Sequence, residues 1–361
     1  MNFNYYRQPD FNNFTSSKQS RRRTVFLILS LFLAGYAAFR LGFAYNTIEI
    51  NNGGEPSFWR RLTGILALNP AEPADKNYIM PEKEENRFDV LLLGIRGGDD
   101  PEAKDAGPLL ADTIMLLSFN KENKKTSVIS VPRDLYVKID GSKKDKINTA
   151  YEYGIYRNKG LNFTKELLSK ITGVYVDKAL VIEFSSFEKI IDELGGIDLT
   201  LTKPFEEPSQ WGYAFSLPAG QNHLNGRDAL YYARSRYSSN DFDRSRRQQQ
   251  VIFAVKDKLS NLNFWADPLK TISLLAAIRN NIATDINIWN TKELLDLAKE
   301  IGGTGKIAKE VISTENLLYE NRENEAYILL PKGDNFDGIK QLFQDIINND
   351  ANPAPVLSPK S

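Results

Sequence analysis

The chain has no cysteine among its 361 residues and a single histidine, His223. Disulfides, thiolate metal sites and thiol nucleophiles are therefore excluded. One histidine cannot build a zinc constellation, and it offers poor prospects for a Ser/His/Asp triad or a general base. Charge of one sign is also lacking: 46 basic residues face 46 acidic ones, so no global field attracts nucleic acid, and no nucleic-acid partner is expected. Internal repeats are absent. What remains is the composition of an ordinary globular protein, 42% hydrophobic, and any anion site in it must be local.

Only the N-terminal region holds a long apolar run. Lys18, Arg21, Arg22 and Arg23 precede TVFLILSLFLAGYAAFRLGFAY, in which Val25 to Phe39 carry no charge. With Arg40 snorkelling outward, the stretch approaches the roughly 20 residues that span a bilayer. A cleaved signal peptide is the rival reading, but Tyr36 and Phe39 suit a cleavage site poorly. The expected layout is a cytoplasmic disordered tail over 1–23, a transmembrane helix over 24–45, a proline-bearing juxtamembrane linker over 46–87 with a short helix near 58–68, an extracytoplasmic domain over 88–350, and a disordered end over 351–361. The basic cluster places the N-terminus in the cytoplasm, which makes the chain a single-pass membrane protein.

Within the domain, DVLLLGI (89–95), TIMLLSF (113–119) and TSVISV (126–131) are short apolar runs bounded by turn residues, the pattern of strands buried on both faces. Helices are expected over 161–173 and over 185–194, the second opened by Ser185 and Ser186 and closed by Gly195 and Gly196. ALVIEF (179–184) and GIDLTL (196–201) flank that second helix, so helices should cover a sheet in an α/β/α layered domain. Residues 245–262 predict a long helix with Ile252, Val255, Leu259 and Leu262 on one face. A helical middle over 268–301, a pair of strands within 311–332 and a closing helix in FDGIKQLFQDIIN complete the reading.

Chemistry concentrates in LADTIML (110–116), VPRDLYV (131–137), KINTAY (146–151) and the string from Leu224 to Gln250. In that string Asn225 can cap a helix ending near Arg234, and Asp243 can cap the next, on which Arg244, Arg247 and Gln248 share a face beside unpaired N–H groups. A helix N-terminus and a guanidinium cluster both favour an anion, and Arg234 and Arg236 can close on it from the other side. The bland alternative is a solvated face laced to Asp228, Asp241 and Asp243 by weak surface pairs. Asp112 and Asp134 sit at strand ends, where carboxylates can hold Mg²⁺ together with substrate phosphates, or simply act as turn residues.

The order LLLGI, DTIMLLS, SVPRD, KIN-AY, GGID, LNG-DALYYAR-R and DFDR-RRQQQ, over about residues 88–260, resembles the LytR-CpsA-Psr family of cell-wall glycopolymer ligases. That resemblance implies a three-layer α/β/α domain with a central mixed sheet and a hydrophobic pocket for a polyprenyl chain. It also implies a bacterial, membrane-anchored, Mg²⁺-dependent phosphotransferase that moves a glycopolymer from polyprenyl pyrophosphate onto peptidoglycan, typically at the C6 hydroxyl of N-acetylmuramic acid, and releases polyprenyl phosphate. By position, Asp112 resembles the family's metal-binding aspartate and Arg133 its catalytic arginine. Asp134 either serves catalysis or holds Arg133. Arg234, Arg236, Arg244 and Gln248 match the pyrophosphate clamp, with Arg247 on the same face and Asp241 beside it. Two positions depart from the pattern: Arg96 stands where a second metal-binding Asp is usual, and Leu110 where an arginine is. Asp99 or Asp100 is expected to supply the missing carboxylate. A pyrophosphatase on lipid-linked saccharides and a non-catalytic binder or regulator of envelope polymer are the competing functions.

Overall fold

The computed structural model describes residues 80–100, 103, 107–141, 143–260, 268–286 and 307–348. The expected cytoplasmic tail, the 24–45 span, the linker as far as residue 79 with its short helix, and the 351–361 end lie outside the described residues. Among the described residues no helix is long and apolar enough to cross a membrane.

The first half of the domain comprises β1 (Arg87–Ile95), β2 (Ala111–Asn120), β3 (Thr126–Ser130), β4 (Tyr136–Asp140), β5 (Lys143–Lys146), α1 (Ala150–Tyr156), α2 (Gly160–Thr172), β6 (Lys178–Glu183) and α3 (Phe184–Glu193). It continues with β7 (Ile197–Leu201), β8 (Phe205–Glu207), β9 (Phe215–Leu217), β10 (Gly220–Leu224), α4 (Gly226–Arg234), α5 (Asp241–Ser260), α6 (Pro268–Asn281), β11 (Ile282–Thr284), β12 (Ile307–Val311), β13 (Leu318–Glu323), β14 (Ala326–Pro331) and α7 (Asp337–Asn348).

Six strands form one sheet in the order β11-β6-β1-β2-β3-β12. It is mixed: β1 runs parallel to β6 and antiparallel to β2, and β12 runs parallel to β3. Side chains of β1 alternate between its faces, as a strand's period of two requires. Leu91, Leu93 and Ile95 enter a core shared with Leu168 and Ile171 of α2 and Phe343 and Ile346 of α7. Leu92, with Met115 and Val128, faces the opposite way, toward Ile252 and Phe253 of α5. Helices on both faces explain why these strands read as unbroken apolar runs.

Three elements differ from the sequence expectation. Strand β7 does not join the main sheet; it pairs with β10 in a separate ribbon. Its burial alternates strictly, which suits a strand covered on one side only. Gly195 and Gly196, both at positive φ, turn the chain away from the sheet. Helix α3 starts at Phe184 directly after β6, with no side-chain cap from Ser185 or Ser186. The expected helical middle is helical as far as Asn281 and is then interrupted by β11, which pairs antiparallel with β6 at the sheet edge; residues 287–306 lie outside the described ones.

The start of β1 carries a buried ionic group away from the cleft. Asp89 accepts a hydrogen bond from Arg87 Nε at 2.8 Å, and its backbone N–H donates to Asp177 at 2.9 Å. Burial pushes the Asp89 carboxyl up to about 6 from an ordinary value near 3.8, with Arg87 opposing the shift. The folded chain therefore holds this proton to higher pH than the unfolded chain does. The associated stability is fully present below about pH 4 and is lost as pH rises through about 6. Asp89→Asn is expected to remove that slope, so that urea unfolding gives a mutant-minus-wild-type difference about 2–3 kcal/mol more favourable near pH 7 than near pH 4. Parallel pH profiles for the two proteins would refute the assignment.

Candidate functional site

The register of the antiparallel β2/β3 pair places Met115 opposite Ser130. Continued past the end of β3, the same register sets Asp112 against Arg133, and Arg133 Nη1 donates to Asp112 Oδ1 at 2.5 Å. The other Asp112 oxygen lies 3.3 Å from Arg96 Nε. Arg244, on the first turns of α5, reaches the Asp112 carbonyl at 3.3 Å and Asp241 Oδ2 at 2.8 Å. Arg133 Nε sits 3.6 Å from Asp241 and 3.7 Å from Asp134, and Asp134 also accepts from Lys146 Nζ at 2.6 Å. Asp134 thus lies between Arg133 and Lys146.

Arg234, at the end of α4, packs its guanidinium 4.1 Å from the Phe184 ring centroid and 5.3 Å from that of Trp211, with Nη1 3.2 Å from Asp100. Two aromatic faces and a carboxylate fix an otherwise flexible side chain. The result is a cleft lined by Arg96, Arg234, Arg236, Arg244, Asp112, Gln210, Gln248, Phe184 and Tyr237. Four guanidiniums against one carboxylate leave that lining with a net charge of plus three.

The electrostatics follow from this crowding. Burial alone raises the Asp112 carboxyl, but Arg133, Arg244 and Arg96 outweigh it and hold the group below the usual carboxylate range. Burial works against the charge on Arg133, yet Asp112, Asp241 and Asp134 together raise its pKa. For Arg244, burial wins, aided by Arg133 and opposed by Asp241, and lowers its pKa. A multiply charged anion in the cleft relieves this repulsion among neighbouring guanidiniums.

Of the expected site residues, Asp112, Arg234, Arg236, Arg244 and Gln248 line the cleft; Arg133, Asp134 and Asp241 are not part of the lining and join it through ion pairs, Arg133 to Asp112 and Asp241 to Arg244. Arg247 does not line the cleft. It is 7% exposed and points inward, donating to the carbonyls of Tyr232 and Ser235 and to Ser239 Oγ, with its guanidinium 5.1 Å from the Phe205 ring centroid. Nor does Asp243 cap α5: Asn240 Oδ1 accepts from the Asp243 N–H at 2.8 Å, and Asp241 and Asp243 occupy the first turn. The anion site is thus built by side chains, with an acidic first turn where free helix amides were expected. Asn225 caps α4 as expected, accepting from the Asp228 N–H.

Several contributors escaped the sequence reading. Gln210 accepts from the Arg236 N–H at 2.7 Å and donates to the Arg234 carbonyl at 3.2 Å, so it fixes the backbone of both arginines. Glu207, fully buried, accepts from the N–H groups of Tyr237 and Ser238 and from Ser238 Oγ. Glu207 ends the three-residue strand β8 and Gln210 lies in the loop after it, a polar stretch with no periodic pattern, so no sequence signal marks them.

The donor set does not fit a resident Mg²⁺. That ion takes an octahedron of oxygens in which carboxylates are free to coordinate. Both Asp112 oxygens are engaged by guanidiniums, and Asp100 faces Arg234 and, at 3.9 Å, Arg96. Asp99 is exposed and does not line the cleft. Among the described residues no three His, Cys, Asp or Glu side chains converge. Among the described residues the expected set of Asp112 with Asp99 or Asp100 does not meet as free carboxylates: Arg96 lies between Asp112 and Asp100.

An apolar cavity adjoins the cleft and shares Phe184, Arg234 and Gln248 with it. Its walls are Leu92, Leu93, Gly94 and Met115 of the sheet, Ile182, Phe187 of α3, Leu230 of α4, and Val251 and Ile252 of α5. The sheet face under α5 carries the buried cluster of Leu92, Met115 and Val128, with the partly buried Leu117, Leu180 and Ile182 packed against it.

Comparison with known proteins adds the following. The sequence pattern of the LytR_cpsA_psr family matches residues 66–344. The chain is 32% identical over 214 residues to the regulatory protein MsrR of Staphylococcus aureus (strain COL), a match covering 58% of this chain and 61% of that protein. It is 28% identical over 272 residues to the Bacillus subtilis polyisoprenyl-teichoic acid–peptidoglycan teichoic acid transferase TagU, covering 73% of this chain and 81% of TagU. Among solved structures, B. subtilis TagV superposes with a TM-score of 0.58 at 27% identity, covering 74% of this chain and 100% of that one. TagT bound to LIIa-WTA shares the fold, with a TM-score of 0.56 at 23% identity over 77% of this chain and 100% of that one.

Proposed function

The chain belongs to the LytR_cpsA_psr family, and from that premise we propose that it transfers a phosphate-linked glycopolymer from a polyprenyl pyrophosphate carrier onto peptidoglycan. One observation carries the reading: a cleft of four guanidiniums opens into an apolar cavity, and Phe184, Arg234 and Gln248 belong to both. An amphiphile with a multiply charged head and a hydrocarbon tail matches that juxtaposition. The activity for which the relatives TagU and TagV are named, teichoic acid transfer to peptidoglycan, supports the donor and acceptor classes.

In the proposed step an acceptor hydroxyl, typically that at C6 of N-acetylmuramic acid, attacks the phosphorus that bears the glycan. A new O–P bond forms and the bridging P–O bond breaks. Polyprenyl phosphate leaves with the bridging oxygen, and the hydroxyl proton is released. Arg133 and Arg244 stabilise charge on the attacked phosphoryl group, while Arg234 and Arg236 hold the departing phosphate. Fixed guanidiniums suit this chemistry because a loose phosphoryl transition state needs positioning and charge stabilisation above covalent help. The apolar segment at 24–45 anchors the chain in the membrane with the domain outside, which keeps the cleft near a lipid-borne donor.

Incubation of the full chain with a short polyprenyl-pyrophosphate glycan and peptidoglycan oligomers, with products read by mass, tests the reading. A glycan-phosphate-peptidoglycan adduct is expected. Release of glycan phosphate without adduct would instead make the protein a pyrophosphatase, and tight binding without turnover would make it a tether.

A further inference from the structure

Arg96 is the one arginine of the cleft lining that the donor-head reading leaves without a task. It follows β1 directly, is 9% exposed, and contacts two carboxylates at once: Asp112 Oδ2 at 3.3 Å from Nε and Asp100 Oδ1 at 3.9 Å from Nη1. Each of those acids is also held by a second arginine, Asp112 by Arg133 and Asp100 by Arg234. Guanidinium and carboxylate thus alternate from Arg133 through Asp112, Arg96 and Asp100 to Arg234. Such a network fixes where each positive charge sits before substrate arrives.

We propose that Arg96 supplies, from the chain itself, the cationic charge that a divalent ion would otherwise bring to the pyrophosphate, so that the cleft binds and turns over its substrate without a metal. The inference rests on the phosphotransfer reading above. A pyrophosphate diester carries two negative charges, and four guanidiniums line the cleft. A divalent ion placed against Asp112 would have to displace Arg96 or sit beside it, losing a ligand oxygen in the first case and meeting a fixed like charge in the second. A guanidinium contributes planar donors directed at phosphate oxygens and needs no dehydration of a metal shell.

The test uses the full chain in detergent, with inorganic pyrophosphate as probe and Mn²⁺ as a paramagnetic reporter of divalent binding. The wild type is expected to bind pyrophosphate equally well, within about threefold, in EDTA and in Mg²⁺, and to show no site-bound Mn²⁺ signal. Arg96→Ala is expected to weaken pyrophosphate binding roughly tenfold or more in both buffers, the scale of one lost charge-assisted contact. Arg96→Asp, which sets a third carboxylate beside Asp100 and Asp112, is expected to gain a Mn²⁺ signal and to bind pyrophosphate only when the metal is present. Wild-type binding that disappears in EDTA, or a site-bound Mn²⁺ signal in the wild type, overturns the inference and leaves the transferase reading standing. These wild-type measurements do not depend on how any variant folds. Absence of pyrophosphate binding in either buffer overturns both readings together.

Discussion

Arg133→Ala is expected to lower transfer by about 10³-fold while leaving the thermal midpoint of the folded domain nearly unchanged. The rate loss follows from position. Arg133 is held by Asp112 at 2.5 Å and flanked by Asp241 and Asp134, so its charge is fixed in place before substrate binds and requires no reorganisation during reaction. Removing it deletes a preorganised cation where phosphoryl charge develops. Stability is spared because the Asp112 carboxylate keeps Arg96 as a partner at 3.3 Å and the nearby charge of Arg244, so the buried acid is not left uncompensated. Arg133→Lys retains a charge but loses the planar fork, and an intermediate deficit of roughly 10 to 100-fold is expected. The deficit should lie in kcat, since Arg234, Arg236 and Arg244 still bind the ground-state pyrophosphate. A variant with wild-type kcat would remove Arg133 from the chemistry. A midpoint lowered by many degrees would recast it as a structural residue.

How far this site is legible in the sequence depends on which forces place each residue. Asp112 and Arg133 lie at the ends of apolar runs, and two antiparallel strands joined by a short turn bring such ends together; their contact follows from strand pairing alone. The covered sheet is legible too, because strands buried on both faces leave unbroken runs of Leu, Ile and Val, whereas its mixed direction is implied only by the family resemblance. Strand β7 was legible too, but its signal was misjudged. The alternation in IDLTL, with Asp198 and Thr200 exposed, marks a strand with one wet face and argues against a place inside the sheet. Arg234 and Gln248 were recognised from the helix ends they occupy, whereas the aromatic walls that hold Arg234 come from α3 and from the loop before β9, far away in sequence. Gln210 and Glu207 act through hydrogen bonds to backbone groups, which no residue pattern encodes. The charge on Arg96 was visible, but its effect on the metal question depends on tertiary contacts with Asp100 and Asp112.

The contrast between Arg244 and Arg247 tests that distinction, since three residues on one helix separate a cleft arginine from a structural one. Arg247→Ala is expected to destabilise the domain by about 3–5 kcal/mol, because it strips the donors from buried carbonyls and leaves a void beside two aromatic rings. The carbonyls are those of Tyr232 and Ser235, at the C-terminal end of α4, and the rings are those of Phe205 and Tyr232. For a domain of this size the midpoint should fall by roughly 10 °C. Arg247→Lys should recover little, as an ammonium cannot reach two carbonyls and a hydroxyl in the geometry of a fork. Arg236→Ala is the matched control: its side chain is exposed and lines the cleft, so substrate affinity should fall with the midpoint unchanged. Scanning calorimetry and pyrophosphate titration on both variants separate the two roles. If Arg247→Ala keeps its midpoint and loses affinity as Arg236→Ala does, Arg247 belongs to the clamp after all, as the sequence alone suggested. The structure predicts the opposite assignment because the end of α4, which carries Arg234 into the cleft, is tied down by Arg247 from beneath.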